Sequence, residues 1–267
     1  MRYAACDVGT NSCRLLVAEV KEDGRIKTIL KEVVTTRIGE GMHGSGWLQP
    51  RAINRTLNCL DSFMDTMRRC QVTERVFVAT SAVRDAINRD DFLVLAEERI
   101  GMPIEVLDGK QEGEMSYQGA MTGLGLRTNP LVADVGGGST EIIIRRRGIK
   151  SYSINVGAVR AWEADWSEKD IKTRLAAEIK KGIKTKSNPL VLVGGTATSL
   201  VAIKKGMTEY DPEKVQGERL SLPEIKTYHD RLAQLTLEER KALPGLQPER
   251  ADIIVKGVLI IKCLMEL

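Results

Sequence analysis

Two short segments of the 267-residue chain share one pattern, in which an apolar run ends in a polar, glycine-rich turn and a second apolar run follows. The first segment is DVGTNSCR, beginning at Asp7, and the second is DVGGGSTE, beginning at Asp134. Aligned without gaps they match at four positions, and the apolar runs LLV and III follow them. We interpret this repetition as an internal duplication of a strand, turn and strand unit.

Predicted strands and helices alternate around each copy, which is typical of an α/β fold. The helix that begins at Pro50 and continues to about Cys70 has the clearest 3.6-residue apolar period. A chain of this length can bury two cores, so we predict two domains, 1–125 and 126–267. A final helix over 248–266 is apolar on most faces, and we expect it to be buried against one domain or both.

The composition limits the classes of ligand and the acid–base residues that the protein can use. A net charge of +4 is too mild for a dedicated nucleic-acid-binding protein but suits an anionic ligand. A basic stretch at Lys180, Lys181, Lys184 and Lys186 is either a guide for a polyanion or a solvated helix end. The chain has two histidines and five cysteines without metal-site spacing, which leaves acid–base chemistry to carboxylates.

The ends of the chain and its apolar stretches bear on where the protein works. The first residues lead directly into a predicted strand and lack the pattern of a signal peptide. No apolar stretch approaches the length of a membrane span. We therefore expect a soluble, cytoplasmic protein that does not contact a membrane.

The chemistry of the two turns points to phosphate. Small residues allow the backbone to approach a ligand, and their N–H groups and hydroxyls suit anionic oxygens. The aspartate at the strand end can hold a hydrated Mg²⁺ or position a water molecule. The alternative is a plain β-hairpin turn, in which Gly, Asn and Ser are common. Two matched turns, each preceded by aspartate, favour the phosphate interpretation.

Three further places suit an anion. The segment VGGTATSL, with Gly194, Gly195 and Thr196, is a glycine-rich step from a strand to a helix N-terminus. Arg84 lies in the first turn of a helix after a strand, where it is either a phosphate clamp or a surface partner of a nearby aspartate, Asp85 or Asp91. Glu112 and Glu114 begin a helix, where the helix dipole alone favours acidic residues.

Across its whole length the chain resembles the exopolyphosphatase and guanosine pentaphosphate phosphohydrolase (Ppx/GppA) family of the actin, Hsp70 and sugar-kinase superfamily. The matching segments occur in order and include DVGTNSCRLLVAEV, VFVATSAVRDAINRDDFL, IEVLDGKQEGEMSYQGAM, VADVGGGSTEI, INVGAVR, VGGTATSLVAI and LPGLQPERADIIVKG. The resemblance implies an α/β fold of two actin-like (ribonuclease H-like) domains with the active site in the cleft between them.

The resemblance also implies roles for individual residues. The motif of type G-x-E-E-A selects Glu112 as the catalytic glutamate, although Gln111 replaces its usual acidic neighbour. Arg84 falls on the family's phosphate-contacting arginine, and Asp134 and Asp7 take the Mg²⁺ role. The implied phosphate-binding residues are Asp7, Gly9, Thr10, Asn11, Ser12, Cys13 and Arg14 in the first turn and Gly136, Gly137, Gly138, Ser139 and Thr140 in the second.

The implied activity is that of a Mg²⁺-dependent exopolyphosphatase, which removes terminal orthophosphate from inorganic polyphosphate. Glu112 would activate the attacking water molecule. Conversion of guanosine pentaphosphate to tetraphosphate needs the same cleft. A kinase, an actin-like nucleotide-binding module or a weak sensor of polyphosphate or nucleotide also stays open. Compact members continue beyond the position of Leu267 into a segment of the type GLREG. Chain-length preference and oligomeric state, a homodimer included, stay open as well.

Overall fold

The computed structural model describes residues 1–179 and 190–267. These residues form two compact units, Met1–Asp108 and Gly109–Leu267. The basic stretch at Lys180, Lys181, Lys184 and Lys186 lies outside the described residues.

The first unit contains one mixed sheet and the helices that follow its strands. Its elements are β1 (Arg2–Val8), β2 (Cys13–Val20), β3 (Ile26–Val34), α1 (Pro50–Arg69), β4 (Glu74–Ala79), α2 (Ser81–Asp85), α3 (Arg89–Ile100) and β5 (Glu105–Val106). The strand order is β3-β2-β1-β4-β5. Strand β2 is antiparallel to β1 and to β3, whereas β4 is parallel to β1 and to β5.

The second unit contains a four-stranded mixed sheet and more helices. Its first elements are α4 (Gly109–Gly123), β6 (Leu131–Val135), β7 (Thr140–Arg145), β8 (Ile149–Ile154), α5 (Ala158–Glu163) and α6 (Glu168–Ile179). Next come β9 (Leu190–Val193), α7 (Gly195–Lys204), α8 (Pro212–Val215), α9 (Leu222–Gln234), α10 (Leu237–Lys241), a 3-10 helix (Pro248–Arg250) and α11 (Ile254–Glu266). The strand order is β8-β7-β6-β9.

The two sheets repeat one topology. In both, the hairpin that carries the glycine-rich turn pairs with a third antiparallel strand, and a parallel strand lies on its other side. Asp7 faces Arg14 across the first hairpin, and Asp134 faces Glu141 across the second. These registers are identical under the ungapped alignment of the two segments. The predicted α/β fold class is confirmed, and the equal registers support the interpretation of a duplication.

Helix α1 shows how the sequence forms the first core. Pro50 stands at its first turn, where its missing N–H costs nothing, and apolar residues then recur every three or four positions. Leu60 and Phe63 on this face are fully buried against the sheet, and each contributes about 1.5–3 kcal/mol through burial. The predicted helix from Pro50 to about Cys70 agrees with α1.

Two boundaries differ from the predicted ones. The second compact unit begins at Gly109 and not at 126, because α4 packs on β7 and β8 of the second sheet. The predicted helix over 248–266 is a 3-10 helix followed by a separate helix, α11. The Asp252 carboxylate accepts the N–H of Ile253 at 2.8 Å, and this local bond competes with a continuous helix. In the second unit α11 packs against α5, α6, α7 and α9.

In the part of the chain that the structure describes, no helix is both long and apolar enough to cross a bilayer. The apolar helix α11 has 13 residues, whereas a membrane-spanning helix needs about 20.

An acidic side chain near the end of α11 ties this helix to its neighbours. The Glu266 carboxylate lies 2.6 Å from Lys172 of α6 and 2.8 Å from Lys226 of α9. Hydrogen bonds from these two ammonium groups lower the pKa of Glu266 to about 2. A depressed folded-state pKa stabilises the fold above the ordinary value of 4.5, and the contribution is lost as the pH falls towards 2.

We expect Glu266→Gln to lower the free energy of unfolding at pH 7 by about 0.5–1 kcal/mol, in the range of a small surface ion-pair network. The loss should shrink between pH 5 and pH 3, because protonation of the wild-type carboxylate removes the same interaction. Urea unfolding at a series of pH values measures it. The control is Glu209→Gln, at an exposed position after α7. An equal loss at pH 7 and pH 3 would contradict the account.

Candidate functional site

The first glycine-rich turn joins β1 to β2 and is held from behind by the loop that follows β3. The Gly9 N–H donates to the Ser12 carbonyl at 3.2 Å and closes the turn. The carbonyls of Thr10 and Asn11 accept backbone N–H groups from residues of that loop, at 3.1 and 2.9 Å. Thr10, Asn11 and Ser12 are buried. The backbone of this turn is therefore fixed on one side by hydrogen bonds to its carbonyls.

The second turn joins β6 to β7 and has the same construction. The Gly136 N–H donates to the Ser139 carbonyl at 3.0 Å, the equivalent of the bond in the first turn. The carbonyls of Gly136 and Gly137 accept backbone N–H groups from the start of α5 at 2.8–3.1 Å, and the Gly138 carbonyl accepts Nε of Arg160 at 2.8 Å. Residues of helix α5 thus donate hydrogen bonds to all three glycine carbonyls of the turn.

This arrangement decides where the N–H groups of the second turn point. In a planar trans peptide the C=O and the following N–H point in opposite directions. Because three successive carbonyls face α5, the N–H groups of Gly137, Gly138 and Ser139 face away from it. Successive N–H groups that point to one side form a concavity suited to an anion. The turn therefore has the geometry of a phosphate cradle.

Serine hydroxyls orient two carboxylates beside this turn. Oγ of Ser116, on α4, donates to Oδ2 of Asp134 at 2.5 Å. Oε1 of Glu141 accepts hydroxyls from Ser139 at 2.7 Å and Ser153 at 2.8 Å. Asp134 and Glu141 are register partners on β6 and β7. The second copy of the repeat therefore carries two carboxylates opposite each other at the base of the turn.

Glu141 is an unusual buried acid, with 1% of its surface exposed. Burial, followed by the negative charges of Glu112 and Asp134, raises its pKa, and hydrogen bonds from the two serines act in the opposite direction; the net pKa is about 8. The sequence interpretation missed Glu141. The available signal was an acidic residue inside the apolar run TEIII. Burial of a charge is costly, so an acidic residue in a buried strand indicates a specific role.

The first copy of the repeat differs at the same place. Arg14 occupies the position equivalent to Glu141, and its Nη1 lies 3.1 Å from Oδ2 of Asp7. The Asp7 carboxylate is thus neutralised by a cation, whereas the register partner of Asp134 is a second carboxyl group, Glu141. Of the two aspartates predicted to hold Mg²⁺, Asp134 has the surroundings that suit a cation better. Within residues 1–179 and 190–267, no group of three His, Cys, Asp or Glu side chains is arranged as a metal site.

Glu112 lies in the first turn of α4, and two glycines bring that helix unusually close to β8. A Cβ atom at Gly113 or Gly109 would overlap the side chains of Ser151 or Ser153, at less than 3.0 Å. This close approach places the Glu112 carboxylate near enough to Glu141 to affect its pKa. The other candidate on this helix, Glu114, lies 3.9 Å from Lys110.

Arg84 lies in the first unit, on α2 directly after β4. Its Nη1 donates to the Leu107 carbonyl at 2.9 Å, and its Nε lies 3.8 Å from Asp85. Only 19% of the side chain is exposed. The guanidinium therefore contacts both a backbone carbonyl and the Asp85 carboxylate, and these two contacts restrict its position.

The third glycine-rich step lies next to the second turn, because β9 is the parallel neighbour of β6. Gly194 has φ = 107°, and a Cβ there would lie 2.5 Å from the Val135 carbonyl and 3.3 Å from Oδ1 of Asp134. The guanidinium of the buried Arg250 covers Gly195. The sequence interpretation missed Arg250, because the contact joins residues 55 positions apart in the chain.

Thr196 completes this step and packs on α11. A Cβ at Gly257 would overlap the Thr196 side chain, so the small residue on α11 allows the close contact. Gly194, Gly195 and Thr196, the second turn, Asp134 and Glu112 all belong to the second unit. Arg84 and the turn at Asp7–Arg14 belong to the first.

The raised pKa of Glu141 gives a stability prediction for the metal-free protein. Between the ordinary value of 4.5 and about 8, the folded state holds a proton that the unfolded state releases, so stability falls as the pH rises through this window. Glu141→Gln should remove this loss and be more stable than wild type at pH 8 by about 4–5 kcal/mol, since the pKa rises from 4.5 to about 8 and one pKa unit equals about 1.4 kcal/mol.

Chemical denaturation in EDTA at pH 5 and pH 8 measures this difference. At pH 5 the two proteins should have nearly equal stability, because the wild-type carboxyl is then neutral as well. A variant that is less stable than wild type at both pH values would show that the charge on Glu141 is not the cause.

Comparison with known proteins identifies one family across both compact units. The sequence profile of the Ppx/GppA phosphatase family matches residues 16–267. Exopolyphosphatase 2 of Mycobacterium tuberculosis is 31% identical over 283 residues, which cover 98% of this chain and 89% of that protein. The alignment thus extends over nearly all of both proteins.

Two crystal structures have the same fold. A Ppx/GppA family member from Aquifex aeolicus matches with a TM-score of 0.80 and 30% identity over 100% of this chain and 90% of its own. An exopolyphosphatase from Cytophaga hutchinsonii matches with a TM-score of 0.89 and 25% identity over 100% and 90%. The α/β fold predicted from the sequence is the one that these structures share.

Proposed function

The chain belongs to the Ppx/GppA phosphatase family, and we propose that it is an exopolyphosphatase that releases terminal orthophosphate from inorganic polyphosphate. The observation that carries this proposal is the second turn, whose N–H groups point away from α5 beside Asp134 and Glu141. A phosphate cradle next to carboxylates suits hydrolysis of a phosphoanhydride, which needs both charge stabilisation and a proton acceptor.

In the proposed reaction the second turn holds the terminal phosphoryl group through the N–H groups of Gly137, Gly138 and Ser139. Glu112 orients a water molecule and accepts its proton as the water oxygen bonds to the terminal phosphorus. The bond from that phosphorus to the bridging oxygen breaks, and orthophosphate and a chain shorter by one phosphate leave. Arg84 and the turn at Asp7–Arg14 are proposed as further phosphate contacts, as the family resemblance implies.

The surroundings of Asp134 and Glu141 fit a Mg²⁺ ion. Mg²⁺ is commonly bound by one or two carboxylates together with water and substrate phosphates, so a complete protein cage is not required. Burial, followed by the nearby negative charges of Glu112 and Asp134, raises the pKa of Glu141, and a bound cation would offset that negative charge. When bound, Mg²⁺ would neutralise charge on the phosphate oxygens. We propose Asp134 as its main ligand and Glu141 as the second.

Phosphate release from polyphosphates of several lengths and from guanosine pentaphosphate, measured side by side with Mg²⁺, tests the proposed substrate. We expect higher kcat/KM on polyphosphate. Preference for the nucleotide would reassign the substrate and keep the phosphoanhydride chemistry. Absence of phosphate release from both would contradict the proposed function.

A further inference from the structure

We propose that Ser116 is a positioning residue that fixes the orientation of the Asp134 carboxylate and thereby sets the affinity of the site for Mg²⁺. This inference rests on the proposed function, because it assumes that Asp134 is a metal ligand. It assigns a role to a residue of α4 that none of the sequence motifs selected.

The first step is the hydrogen bond itself. Ser116 Oγ lies 2.5 Å from Asp134 Oδ2, a length typical of a hydroxyl that donates to an ionised carboxylate. Ser116 is half-buried, so bulk water competes weakly for the same oxygen. The bond restricts the rotation of the carboxylate about its last torsion, which is broad for an unrestrained aspartate.

The second step is the oxygen that this bond leaves available. With Oδ2 held by Ser116, Oδ1 is turned towards Gly194, where a Cβ would lie 3.3 Å from it. Gly194 begins the third glycine-rich step, so Oδ1 faces the region between the second turn and the start of α7. Ser116 therefore selects which oxygen of Asp134 is presented to a ligand.

The third step is the connection to Glu112. Glu112 and Ser116 are four residues apart on α4 and so lie on the same face of the helix. One helix face thus carries the proposed base and the hydroxyl that holds the proposed metal ligand. Groups that orient metal ligands typically affect metal affinity or activity by about 10- to 100-fold.

The test compares Ser116→Ala with Ser116→Thr, which keeps the hydroxyl. Mn²⁺ binding to each purified protein without substrate is followed by electron paramagnetic resonance of the free ion. We expect Ser116→Ala to raise the Mn²⁺ dissociation constant by about 10-fold and Ser116→Thr to restore most of the affinity. The Mg²⁺ concentration for half-maximal phosphate release should rise in parallel, with a smaller change in kcat at saturating Mg²⁺.

Ser151→Ala is the matched control. Ser151 donates to the Gly109 carbonyl at 3.0 Å, so this variant also removes a hydroxyl that contacts α4 but leaves Asp134 untouched. We expect wild-type Mn²⁺ affinity. Equal Mn²⁺ affinity in Ser116→Ala and wild type would overturn the inference while leaving the phosphatase proposal standing. An equal loss in Ser116→Ala, Ser116→Thr and Ser151→Ala would also overturn it, because it would indicate a general loosening of α4.

Discussion

Replacement of Glu112 by glutamine is expected to lower the turnover of phosphate release by about 10²- to 10⁴-fold, the range of a lost general base. Glutamine has nearly the same size as glutamate, so the packing of α4 on β7 and β8 should persist. The amide cannot accept the proton of the attacking water. Steady-state kinetics and binding of polyphosphate to the variant, measured separately, should show a large fall in kcat and a nearly unchanged dissociation constant.

Glu114→Gln provides the control on the same helix. Glu114 lies next to Lys110 and two residues from Glu112, and we expect its replacement to change turnover by less than about threefold, as for an ordinary surface substitution. Nearly normal turnover of Glu112→Gln would remove the base from this position. A large loss in Glu114→Gln would then make that residue the first candidate for the role.

Gly157→Ala is expected to damage both stability and activity. A Cβ at this position would lie less than 3.0 Å from backbone atoms of Gly137 and Gly138, which have no flexible end that could move aside. The backbone of Gly157 is extended, with φ = −141°, so the effect is steric and not conformational. We expect a loss of about 1–3 kcal/mol, typical of overpacking, because the turn must shift away from α5.

A shift of the turn also misplaces the N–H groups that are proposed to hold phosphate. Displacement by about 1 Å can cost about 100-fold in rate, so kcat/KM should fall by at least about 10-fold. Gly148→Ala is the control, because a Cβ at Gly148 meets no atom within 4 Å. Thermal unfolding and phosphate release measure both effects. Wild-type values in Gly157→Ala would show that α5 does not fix the turn as the contacts indicate.

The parts of the structure that the sequence predicted are those encoded by short, continuous patterns. The two turns were visible because each lies within eight residues, and their equal hairpin registers agree with the ungapped alignment. Helix α1 was visible because its apolar period extends over 20 residues. In both cases a short, continuous pattern is enough to predict the element, since turn residues and helix periodicity lie within one segment of the sequence.

The parts that the sequence did not predict depend on contacts between distant residues. Strand and helix patterns do not say which sheet α4 covers, and the boundary at Gly109 follows from small residues on α4 and β8. The guanidinium of Arg250 reaches Gly195 only because the 3-10 helix folds back onto the start of α7. The contact from Ser116 to Asp134 spans 18 residues, and no periodicity links the two positions.

The proposed roles of the site residues are predictions, and the structural support for them differs between the two compact units. For the second turn, the hydrogen bonds from α5 and the serine-held carboxylates give a physical basis within one compact unit. For Arg84 and the turn at Asp7–Arg14, the structure gives the local anchoring, and the phosphate contacts rest on the family resemblance.

Hydrolysis at the end of a phosphate chain is tested most directly by the products of the reaction. ³¹P nuclear magnetic resonance resolves orthophosphate, terminal phosphates and internal phosphates during the reaction of the Mg²⁺-loaded protein with long polyphosphate. We expect orthophosphate to appear from the start, while the number of terminal phosphates stays constant as long as the chains persist. An early rise in terminal phosphates without orthophosphate would reveal cleavage inside the chain and would contradict the account.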